Sequence, residues 1–71
     1  MTRLSGTSWQ EMVRALELAG FHLERQKGSH MVFVSAAGNR TVVVPRHSAL
    51  KPGTVSAILR AAGLSREDLL R

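Results

Sequence analysis

Apolar residues recur at helical spacing near the start of the chain: Trp9, Met12, Val13, Leu16 and Ala19 keep the i, i+3, i+4 period of one buried face. That spacing predicts an amphipathic helix over residues 7–19. Ser8 followed by Glu11 has the form of a capping box, and Gly20 supplies the left-handed residue that commonly ends a helix. The period then changes. Residues 21–26 alternate, with Phe21 and Leu23 on one side and His22 and Glu24 on the other, which predicts a half-buried strand. HMVFVS (30–35) and RTVVVP (40–45) are β-branched and aromatic runs separated by AAGN, a hairpin signal. Pro45 closes the third strand because it has no amide to donate. Helical spacing returns in Val55, Ile58, Leu59 and Ala62, with Pro52 suited to the first turn and Gly63 to the end. SREDLL, capped by Ser65, predicts a short terminal helix. The fold class is α+β: helix, three-stranded antiparallel sheet, helix (αβββα), with a short C-terminal helix.

Composition narrows the function classes. A chain of 71 residues is one domain, and at that size folding buries only about 60% of the surface the unfolded chain exposes. With no cysteine, neither a disulfide framework nor a thiolate metal site can staple it. The core must come from ordinary aliphatic residues. The first ten residues hold no apolar run of signal-peptide length, and no stretch approaches the ~20 apolar residues of a membrane span. A cytoplasmic protein with no membrane association is expected.

Charge adds a partner. Ten Lys and Arg against five Asp and Glu give a net charge of +5, which points to a polyanion, with nucleic acid first. The cations are not evenly scattered. Arg25, Lys27, Arg40, Arg46 and Lys51 fall in the middle of the chain, where no acid occurs between Glu24 and Glu67.

Hairpin geometry brings part of this charge to the histidines. A two-residue turn at Gly38 and Asn39 pairs residues whose numbers sum to 77, setting His30 opposite His47. A turn one residue earlier lowers the sum to 75 and sets His30 opposite Pro45. Under either register Lys27, Ser29, His30, Arg46 and His47 gather at one end of the sheet, because opposed residues sit about 5 Å apart. Cleavage of RNA by its own 2′-hydroxyl needs such a set. A base takes that proton, an acid protonates the leaving 5′-oxygen, and cations stabilise the phosphorane. Histidine serves either proton transfer near neutral pH. Two nearby histidines also suit a metal, but no carboxylate lies close in sequence to complete a three-ligand site; no metal and no cofactor are expected. His22 reads as solvent-facing, and Trp9 as core rather than as a platform for a base.

The residues in order resemble a known family. GF followed by RQKGSH, then an apolar strand, VVVPRH, and KPGTVSAILRAAGL are similar to the HicA toxins of HicA–HicB toxin–antitoxin systems. The resemblance runs from the first helix to the end of the second. It implies a fold like double-stranded-RNA-binding domains, a ribosome-independent mRNA endonuclease activity, and neutralisation by a HicB antitoxin. The catalytic histidine of the family's Gly-Ser-His motif corresponds to His30, and the histidine of its Pro-x-His motif to His47. The expected site is therefore His30 as acid/base, with His47, Ser29 and Gly28 in support, the last two through their amides. Lys27, Arg46, Arg25, Arg40 and Lys51 are the expected phosphate ligands. The rival readings are a non-catalytic RNA-binding module and a protein-interaction domain whose basic face meets an acidic partner.

Overall fold

The computed structural model describes residues 7–70. Its elements are α1 (Trp9–Leu18), β1 (His22–Lys27), β2 (His30–Val34), β3 (Thr41–Pro45), α2 (Pro52–Ala62) and a 3-10 helix (Arg66–Leu70). The capping box at α1 is formed. The Glu11 amide donates to Ser8 Oγ at 3.2 Å, and the Ser8 amide donates to Glu11 Oε1 at 2.8 Å. At the other end Gly20 takes φ +95°, Phe21 N–H donates to Leu16 O, and Gly20 N–H donates to Glu17 O. These two bonds are the Schellman arrangement, and they satisfy carbonyls that a helix end leaves open. On the buried face Ala15 replaces the expected Ala19, which is exposed beyond the last turn.

The sheet is an antiparallel meander in the order β1-β2-β3. Its core face presents Met31, Phe33, Val42 and Val44, all buried, to the helices. Val55, Ile58, Leu59 and Ala62 of α2, Met12 and Leu16 of α1, and Phe21 and Leu50 from the connections complete the core, with Trp9 and Val13 packed at its margin. Among the described residues no helix is long and apolar enough to cross a membrane.

The structure chooses between the two expected registers and corrects one expectation. Of the two β2–β3 registers the hairpin allows, the one summing to 75 holds: His30 pairs with Pro45 and Val34 with Thr41. The cause is a longer connection closed by Ser35, whose amide donates to Arg40 O and whose hydroxyl is bonded to Asn39 and to the Arg40 amide. The turn therefore starts earlier than a two-residue hairpin at Gly38 and Asn39 would. Strand β1 is not half-buried; every residue of it is exposed, Leu23 by 46%. It is an edge strand, a bulge at Glu24 shifts its register, and the helices pack over β3 instead. The expected short terminal helix is present, as a 3-10 helix, with the Ser65 amide held by Asp68 Oδ2 at 2.7 Å.

Candidate active site and nucleic-acid interface

Register decides what the sheet shows to solvent. Opposed residues of an antiparallel pair share a face, and Met31, Phe33, Val42 and Val44 are taken by the core. The open face therefore carries three cross-strand rows: Lys27, His30 and Pro45; Arg25, Val32 and Val43; His22, Val34 and Thr41. Val43 is 47% exposed there. Arg25 and Lys27 reach this face by simple alternation, in unbroken register with Val32 and His30; the bulge at Glu24 lies beyond them and sets His22, not Leu23, opposite Val34. Arg25 also forms an ion pair with Glu24 at 2.6 Å, both side chains largely in water, where such a pair contributes little.

Lys27 and His30 flank a two-residue turn in which Gly28 has φ +59°. That left-handed value is the reason for glycine at this point. Gln26 Nε2 donates to Gly28 O, and Arg46 N–H donates to Ser29 O. The second bond extends the β2–β3 ladder by one residue, so Arg46 lies beside the turn. Its side chain, however, alternates to the other side from Pro45. The guanidinium lies over the Trp9 ring of α1, 4.7 Å from the centroid, within cation–π range.

The loop after β3 is tied to the start of α1 at two points. Trp9 N–H donates to His47 O at 3.1 Å, and Leu50 N–H donates to Thr7 O at 2.7 Å. Leu50 is buried and plugs the core from this loop. His47 and Lys51 are exposed around a depression of about 250 Å³ that Pro45, Ala49, Leu50 and Thr54 complete.

The structure thus brings Lys27, Gly28, Ser29, His30, Arg46 and His47 to one end of the sheet, all exposed. Lys51 lies just beyond, at the cap of α2. Arg40 is not among them. It sits at the opposite end of the sheet, where Nη1 donates to Ala61 O at 3.1 Å and the guanidinium lies against Gly63. A cation at a helix C-terminus is electrostatically favoured, so its position has a structural account. His22 is exposed and remote from the turn. Among the described residues no three of His, Asp or Glu gather as a metal-binding group. Sequence reasoning missed the Trp9–Arg46 contact. An aromatic in a helix's first turn and an arginine after a strand carry no local signal that they will meet.

What the sheet end presents is an exposed basic patch around a histidine that packing does not require, on a small α+β domain. This chain belongs to the HicA toxin family: the family model described as "HicA toxin of bacterial toxin-antitoxin" matches residues 9–64. The protein is the toxin component of a toxin–antitoxin system, and an antitoxin is its partner. No curated protein shows significant similarity to it. The matched span begins at Trp9 and ends just after Gly63 closes α2, so it contains every site residue discussed above and omits the 3-10 helix.

Proposed function

We propose that this toxin is a metal-independent endoribonuclease that cleaves mRNA in the cytoplasm, with His30 as the principal acid/base. The observation that carries the reading is the row Lys27–His30, exposed on the open face beside a glycine turn. His30 takes the proton of a 2′-hydroxyl as its oxygen attacks phosphorus, or delivers a proton to the 5′-oxygen as the P–O bond breaks. The products are a 2′,3′-cyclic phosphate and a 5′-hydroxyl. Lys27 and Arg25, on the same face, supply positive charge for the phosphorane. The amides of Gly28 and Ser29, in the turn between Lys27 and His30, would donate to its oxygens. DNA lacks the attacking hydroxyl, so chemistry alone discriminates RNA. A HicB-type antitoxin would silence the site by covering this end of the sheet with acidic groups.

One observation favours an alternative. The register sets Pro45, not His47, beside His30, so the second proton-transfer group is not an immediate cross-strand neighbour. A non-catalytic RNA-binding module of double-stranded-RNA-binding type, recognising shape and phosphates, needs no such group. Cleavage of a long RNA with EDTA present, by wild-type and His30→Ala proteins at matched concentration, separates the two. Cleavage that persists in EDTA and is lost in the variant supports the nuclease. Salt-sensitive binding without cleavage by the wild type supports the module.

A further inference from the structure

His30 and Arg46 flank the same turn from opposite sides of the sheet. His30 shares the open face with Lys27 and Arg25, whereas Arg46 is carried to the helix side and lies over Trp9. One phosphate cannot sit on both faces at once. We propose that Trp9 and Arg46 form a second phosphate-binding position, gripping the RNA backbone away from the phosphate at His30. The inference rests on the nuclease reading, because it assigns Arg46 to a part of the same RNA that does not react.

Trp9 is the positioning residue. Its ring packs at the margin of the core, and the guanidinium covers it, which leaves a poor platform for a base. A guanidinium stacked on a ring keeps its in-plane N–H groups at its rim, free to fork onto phosphate oxygens. The backbone of the same segment is held at both ends. Arg46 N–H is bonded to Ser29 O, and His47 O accepts from Trp9 N–H. Arg46 is thus fixed in rotamer by the ring and in position by the two bonds. Among the described residues no side-chain hydrogen bond or ion pair holds Lys27 or Lys51 in this way.

Trp9 is the one tryptophan, and the chain has no tyrosine, so its emission reports on the contact directly. The probe is a short, fully 2′-O-methylated oligonucleotide, which has no hydroxyl to attack and is not cleaved. Its binding is expected to change Trp9 emission saturably in the wild type and to leave emission unchanged in Arg46→Ala. Affinity should fall roughly tenfold in Arg46→Ala, the scale of one charge-assisted hydrogen bond, and roughly threefold in Trp9→Leu, the scale of an exposed cation–π contact. Trp9→Phe should restore most of the loss. The double variant Trp9→Leu/Arg46→Ala should be no weaker than Arg46→Ala alone, since one acts through the other. With cleavable RNA, the loss should fall more on the RNA concentration needed for half-saturation than on the saturating single-turnover rate, because the binding removed is mostly uniform. Additive losses in the double variant would overturn the inference, as would a Trp9→Leu protein with a lowered melting temperature and unchanged affinity. A large fall in the saturating rate of Arg46→Ala would also overturn it, by returning Arg46 to the reacting phosphate. A wild-type protein that neither binds nor cleaves RNA would instead remove the nuclease reading itself.

Discussion

Lys27 and His30 are the last paired residues of the first hairpin, so their side chains stand next to each other on the open face of the sheet. Neither belongs to the core. The fold needs Met31 and Phe33 from the same strand, both buried, and leaves His30 in water.

His30→Ala is therefore expected to cost little stability, within ~1 kcal/mol, as is usual for surface positions without special contacts. Loss of a positioned acid/base group should lower the cleavage rate by about 10²–10⁴, while RNA affinity survives on the remaining cations. His22→Ala, on the same face but far along β1, serves as the control and should remain active. Chemical denaturation and single-turnover cleavage of the same preparations check both halves, and equal cleavage by His30→Ala would refute the assignment.

RNA binding should weaken steeply with salt. With Arg40 engaged elsewhere, Arg25, Lys27, Arg46 and Lys51 remain as the proposed phosphate ligands. Three or four contacts to single-stranded RNA give a log–log slope of roughly −2 to −3. Titrations at several salt concentrations measure it, and a slope near zero is incompatible with phosphate contacts.

Arg40→Ala should separate charge from site. It removes the bond to Ala61 O and a cation at the C-terminus of α2, so stability should fall by about 1 kcal/mol. RNA affinity should change less than about twofold, although the net charge drops as much as in Lys27→Ala. A loss of affinity equal to that of Lys27→Ala would bring Arg40 back into the interface.

Two substitutions test the two faces of the sheet. Phe33→Ala empties a core position that is 2% exposed and should cost about 3–5 kcal/mol, a large part of the stability of a domain this small. Val43→Thr, on the open face, should stay within ~0.5 kcal/mol. Thermal melts of the two proteins decide it; comparable losses would mean that the open face is covered.

Much of the fold was legible because local rules and global packing agree. Ser8 and Glu11 cap α1, Gly20 ends it, Pro52 opens α2 and Gly63 closes it in the left-handed conformation. Each of these depends on a few neighbouring residues, so spacing suffices to read it. The cluster of Lys27, Ser29, His30 and Arg46 was legible for a related reason. Either register of the second hairpin brings those backbones to one end of the sheet.

The sequence by itself determined the order of elements, the core positions of α2, and the hairpins that set a basic turn beside the segment after β3. Only the tertiary structure decided which register holds, that β1 stays uncovered, and which way each cation points. Those choices depend on side chains distant in sequence. Ser35 and Asn39 lengthen a turn, α2 draws Arg40 to its C-terminus, and α1 offers Trp9 to Arg46. A strand's alternation fixes only that neighbours point apart. What awaits them on each face is supplied by helices whose docking no local pattern encodes.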